Sequence, residues 1–144
     1  MTDDRSRAPA VWFARAAVGL VFAGNVACAL SFILQPDNYA ASFETSGVPG
    51  GTVVRGFGIL FLMWNATYPP VLVRPVAQKA LFALILVQQA IGVVGELWIW
   101  LTLPTGHPAL QETGLRFLLF DGFGLLIMGI AFALLRLAQA ARRP

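Results

Sequence analysis

Ala80–Leu103 reads ALFALILVQQAIGVVGELWIWLTL. Its 24 residues are Leu, Ile, Val, Phe, Trp and Ala almost throughout. As a helix this stretch rises ~36 Å at ~1.5 Å per residue, enough to cross a hydrocarbon core of ~30 Å. Gln88, Gln89 and Glu96 lie inside it. An acidic residue at the centre of an inserted helix costs ~2.5–3.5 kcal/mol, so Glu96 needs a partner, a proton or water. Gln89, Gly92 and Glu96 recur at i, i+3 and i+7, which puts them on one helix face.

Outward from this stretch the same pattern recurs. The spacing predicts an all-α, polytopic membrane protein with four transmembrane helices, at about 9–34, 51–73, 77–103 and 112–137. The whole chain forms one domain. Of its 144 residues 58% are hydrophobic and only 12% charged, with mean hydropathy +0.73, well outside the range of soluble domains. Arg5 and Arg7 precede an apolar run from about Pro9 to Leu34. That run is longer than the ~7–15 residues of a signal-peptide core, so it reads as a retained first span. Trp12, Trp98 and Trp100 fall at belt positions, and the remaining Trp and Phe read as lipid contacts.

Charge sets an expected orientation. Eight of the ten basic residues (Arg5, Arg7, Arg15, Arg74, Lys79, Arg136, Arg142 and Arg143) lie on the side of the termini and the middle turn. Arg55 and Arg116 lie towards the other side. The positive-inside rule then places both termini in the cytoplasm of a cell whose inner membrane holds the protein. The expected partners are the lipid bilayer and a larger membrane complex or a second copy. Basic residues confined to the ends and one turn speak against nucleic acid.

The connections carry their own signals. Pro36 suits the start of a short interfacial helix with Tyr39 and Phe43 on one face; a plain loop is the alternative. Gly47 and Pro49 would stop that helix. Pro69 should kink or finish the second span. Gly24 with Cys28, and Gly122, Gly129 and Ala133, are small-residue patterns that permit close helix crossings.

The two halves resemble each other. Arg55-Gly56-Phe57-Gly58-Ile59-Leu60 matches Asp121-Gly122-Phe123-Gly124-Leu125-Leu126, and Glu44-Thr45 matches Glu112-Thr113. Two hairpins of like orientation would form a parallel repeat about an axis along the membrane normal. Gly- and Leu-rich segments also match by chance. Equivalent positions hold Arg55 and Asp121, which predicts an ion pair between them.

Helix rise puts Glu96 near the far interface, with Asp121 ~12 Å and Arg55 ~5–9 Å below it. Arg55, Gly58, Leu62 and Asn65 are read as one face of the second span. The candidate site is therefore Arg55, Glu96, Arg116 and Asp121, with Asn25, Asn65 and Gln89 nearby. These groups read either as a network that fixes helix register or as a pocket for a quinone or a lipid headgroup. His107 is the chain's one histidine and Cys28 its one cysteine, so no metal-ligand spacing, disulfide or CxxC motif arises. No general base stands beside Cys28 or Ser31, which argues against nucleophilic catalysis.

Arg15-x-x-x-Gly19, Gly24 late in the first span, and Phe43, Gly47 and Pro49 in the following connection resemble the DoxX-like group of small four-helix bacterial membrane proteins. The resemblance covers the first half and the architecture. It implies a four-helix bundle and, for some members, quinone- or thiol-linked respiratory oxidation. The embedded Cys28 departs from a thiol-handling version. The expected function is a non-catalytic accessory or assembly subunit. A quinone-linked oxidoreductase component is the alternative, and a small dimeric transporter ranks third.

Overall fold

The computed structural model describes residues 8–141. Among them there is no strand. Six helices follow in order: α1 (Ala8–Leu34), α2 (Asp37–Ala40), α3 (Gly47–Asn65), α4 (Tyr68–Val73), α5 (Lys79–Thr102) and α6 (Pro108–Ala140), with a 3-10 turn at Ala41–Phe43 after α2. Four segments are long and apolar enough to cross a membrane: α1, α3 with α4 (Gly47–Val73), α5 and α6. The protein is an all-α polytopic membrane protein.

Each boundary has a local cause. Glu44 sits in the left-handed region (φ 51°) and ends the 3-10 turn. Gly47 (φ 61°) and Pro49 do not stop the short helix, as expected from sequence; they open α3, which starts four residues earlier than anticipated. A proline in a first turn forfeits no intrahelical bond. Pro108 does the same for α6. Pro69 and Pro70 offer no N–H to Asn65 and Ala66, so the second span breaks at Ala66-Thr67. The Thr67 hydroxyl donates to the Trp64 carbonyl at 3.0 Å and covers part of the broken end.

α1 packs along α3, α5 along α6, and α1 against α6, while α4 bridges α1 and α5. This closes the bundle at the end that carries the termini. There the main core forms from Ala14, Val18 and Val21 of α1, Tyr68 and Val71 of α4, Phe82 and Ile85 of α5, and Met128, Ala131 and Leu135 of α6. Arg15 donates to the Val73 carbonyl at 2.8 Å and its guanidinium lies 5.1 Å from the Trp12 ring, so it caps α4 as well as reaching the interface.

At the other end, which carries both long connections, α3 stands apart from α5 and α6. Rings fill the gap: Phe61 lies 6.1 Å from Phe117, and Phe43 lies 5.5 Å from Phe57 and 6.3 Å from Phe117, centre to centre. The 36–46 connection folds over this end. Glu44 Oε2 meets His107 Nδ1 at 2.5 Å, Glu44 Oε1 accepts the Leu110 N–H at 3.4 Å, and the Thr113 hydroxyl donates to the Ser42 carbonyl at 2.8 Å. His107 is thus exposed yet paired. The hydrogen bond from His107 holds the Glu44 carboxyl below its ordinary range.

One packing expectation is overturned. Gly122 and Gly129 have open space where a side chain would stand, and Ala133 is exposed. The buried positions of α6 are Gly124, Met128, Ala131 and Leu135. At ~100° per residue, 122, 129 and 133 point well away from that direction. The tight crossing is at Gly58, where an added Cβ would stand 2.7 Å from the Ala29 carbonyl oxygen of α1.

Candidate functional site

A cavity of about 290 Å³ lies in the half of the bundle nearer the connections. It exists because α3 leaves α5 and α6 there while the 3-10 turn roofs the space. Its walls are aromatic: Phe32 of α1, Tyr39 and Phe43 of the connection, Phe61 and Trp64 of α3, and Phe117 and Phe120 of α6. Tyr39 and Phe43 both turn onto Phe32, at 4.9 and 5.8 Å between ring centres, so the face anticipated for the short helix points into the bundle. The reading of the remaining Phe and Trp as lipid contacts is corrected for these rings.

The polar lining is Asn25, Asn65, Gln89, Asp121 and Arg116, with Cys28 and Thr113 beside them. Gln89 is only 1% exposed and Asn65 3%. Buried amides need partners, and both have them. Asn65 Nδ2 donates to the Phe61 carbonyl at 2.8 Å, and Asn25 Nδ2 donates to Asn65 Oδ1 at 3.3 Å. Gln89 Nε2 donates to Asp121 Oδ1 at 2.8 Å and to the Asp121 carbonyl at 3.2 Å, while the Tyr68 hydroxyl donates to Gln89 Oε1 at 3.2 Å.

Gly92 makes room for the acid. An added Cβ there would lie 3.3 Å from Asp121 Oδ2 and 3.2 Å from the Trp64 ring. Glu96, one turn further along α5, brings its carboxyl against that of Asp121. The Gln89, Gly92 and Glu96 face anticipated from the spacing is therefore the face that receives Asp121.

The charges pair differently from expectation. Arg55 and Asp121 form no ion pair: Arg55 is exposed, and its Nε donates to the Ile33 carbonyl at 3.2 Å. Nor does Glu96 answer Arg55 or Arg116, since Arg116 bonds Glu112 one turn away. The cause is helix rotation. Residues 55 and 65 differ by ~80° around the axis, so they do not share a face, whereas 58 and 65 differ by only ~20°. Gly58 and Asn65 are accordingly buried and Arg55 is not. Of the seven candidate residues, Asn25, Asn65, Gln89, Asp121 and Arg116 line the cavity, Glu96 backs Asp121, and Arg55 stands outside it.

The aromatic walls and Tyr68 were missed as site residues. A signal was present: Phe61 precedes Asn65, and Phe117 precedes Asp121, by four residues, one turn along the same face. No family model matches the chain, and no curated protein or solved structure matches it either.

Proposed function

We propose that the protein is a non-catalytic integral membrane protein of the accessory or assembly class, whose cavity receives one small amphipathic molecule. The observation that carries this reading is a space of about 290 Å³ with aromatic walls and a hydrogen-bonded polar floor. A register-fixing network needs the polar bonds but not the space. The volume sits at the lower edge of ligand pockets, which run ~300–1,000 Å³, and so fits a compact molecule with one ring.

A quinone-linked role is the second reading. Trp64 Nε1–H is buried and has no partner, a donor suited to a ring carbonyl, and the DoxX-like resemblance points the same way. The excess of basic residues at the end bearing the termini supports cytoplasmic termini in an inner membrane, which puts the cavity in the outer half. The parallel repeat draws support from Gly58 and Gly124. Gly58 packs on α1, the preceding span, and Gly124 meets Gln89 of the preceding α5 together with Val21 of α1, while Gly56 and Gly122 face open space.

The test is purification in mild detergent, followed by solvent extraction and mass spectrometry. The expected result is one amphipathic species in near-stoichiometric amount, absent from a Cys28→Trp variant that fills the cavity. An empty wild-type protein whose Cys28 no small ring compound shields from alkylation overturns the reading.

A further inference from the structure

We propose that the end of the bundle bearing the termini holds an anionic phospholipid, its phosphodiester received by Arg15 and Arg74 in the seam between α1 and α4. This site is separate from the cavity and does not depend on what the cavity holds.

Charge is unevenly shared between the two ends. Among the described residues the acids are Asp37, Glu44, Glu96, Glu112 and Asp121, and all lie in the half nearer the long connections. Both ion pairs are there too, His107 with Glu44 and Arg116 with Glu112. The opposite end carries Arg15, Arg74, Lys79 and Arg136, and no acid among the described residues answers them. An unanswered charge at the edge of the hydrocarbon draws a counter-charge from its surroundings, which at that level are lipid headgroups.

Two of the four cations are brought together. Arg15 stands seven residues into α1, ~10 Å from the helix start at Ala8. Its Nη2 donates to the Val73 carbonyl at 2.8 Å, and the nitrogen of that same peptide unit belongs to Arg74. The two residues therefore meet where α4 ends. A neutral carbonyl takes one of the guanidinium's donors and none of its charge. Arg15 Nε lies buried with no acceptor, while Arg74 is exposed and forms no ion pair among the described residues. Phosphate oxygens suit such a site, because the planar guanidinium fork can bond two of them at once.

The surroundings favour a lipid over an acidic protein segment. The exposed Trp12 ring lies 5.1 Å from the Arg15 guanidinium, at the level where headgroups meet acyl chains. Beyond it the seam is apolar and shallow. An added Cβ at Gly19 would stand 3.3 Å from Leu72 Cδ1, so Leu72 rests on α1, and Val73 is exposed beside it. Acyl chains can continue along that surface, whereas a soluble peptide would leave it. Lys79 and Arg136 belong instead to the α5–α6 side: Arg136 lies 5.9 Å over the Phe132 ring, which meets Phe82 of α5 edge-on. They share the end of the bundle but not the seam.

The test is native mass spectrometry of the purified full-length protein in neutral detergent, with dioleoyl-phosphatidylglycerol, dioleoyl-phosphatidylcholine and water-soluble glycerol phosphate as probes. Phosphatidylglycerol should bind as one retained adduct, and phosphatidylcholine, which brings its own cation, should bind more weakly. Arg15→Gln and Arg74→Gln should each weaken phosphatidylglycerol about fivefold, the weight of one basic residue at an anionic lipid surface, while Lys79→Gln and Arg136→Gln should change it by less than about twofold. Arg15 also caps α4, so where Arg15→Gln fails to fold, Arg74→Gln decides. Equal losses in all four variants would reduce the site to diffuse charge and overturn it, as would unchanged binding in Arg74→Gln or equal binding of the two lipids. Displacement of the lipid by glycerol phosphate at similar concentration would give the cations to a soluble phosphate, and displacement by polyglutamate to an acidic protein segment; either result overturns the lipid.

Discussion

Gly58→Ala and Gly56→Ala are the same substitution two residues apart in α3, and they should have opposite consequences. At Gly58 the new Cβ would stand 2.7 Å from the Ala29 carbonyl oxygen, 2.8 Å from Ile33 Cγ1 and 3.0 Å from Phe32 Cβ. Ordinary contact begins near 3.4 Å, so α1 and α3 must part by several tenths of an ångström. Neither Ala29 nor Phe32 can yield alone, because one offers backbone and the other is buried among rings. Overpacking of this kind costs ~1–3 kcal/mol. At Gly56 nothing lies within 4 Å. Both variants gain the same ~1 kcal/mol of helix propensity, which cancels when they are compared. Gly58→Ala should therefore be the less stable by ~1–3 kcal/mol. Unfolding in detergent titrated with sodium dodecyl sulfate, followed by helical circular dichroism, measures the difference. Equal midpoints would refute the close crossing of α1 and α3.

Three further outcomes are expected. Arg55→Ala and Asp121→Ala should be additive within ~0.5 kcal/mol in a mutant cycle, whereas Gln89→Leu and Tyr68→Phe should couple by ~0.5–1.7 kcal/mol, because the first of these strips the Tyr68 hydroxyl of its acceptor; a strong Arg55–Asp121 coupling would restore the ion pair. His107 lowers the Glu44 carboxyl from 4.5, so the clip stabilises the fold above that pH and weakens as pH falls through the lower, folded value. Melting temperature should drop over that range in wild type more than in Glu44→Gln, and parallel curves would remove the clip. In a Cys28→Ala background, cysteines placed at Ser46 and Thr105 should react with an impermeant maleimide on intact cells while one at Gln78 should not; the reverse labelling would invert the orientation.

The four spans were legible because hydropathy over ~20 residues integrates many weak signals. So was the Gln89, Gly92 and Glu96 face, because 3.6-residue periodicity is rigid within one helix. What stayed hidden was the rotation of one helix against another. The match between the two halves of the sequence aligned Arg55 with Asp121, yet a flexible guanidinium on an outward face found a nearer carbonyl at Ile33. The Gly122, Gly129 and Ala133 stripe failed for the same reason: periodicity groups residues on a face but does not say which face turns inward. The cavity was invisible in principle from one segment, since four elements and a connection enclose it.

The bundle is closed by a dense core at one end and by rings at the other, and this divides the chain into regions with unequal freedom to vary. Substitutions among Val18, Phe82, Ile85 and Met128 must preserve shape, because each is fully buried where α1, α4, α5 and α6 meet. Substitutions among Phe61, Phe117 and Phe120 change instead the size and contour of a hollow that the backbone already holds open. The base of such a vessel can stay fixed while its rim drifts, so the hollow can change in size and contour without the fold ever losing its footing.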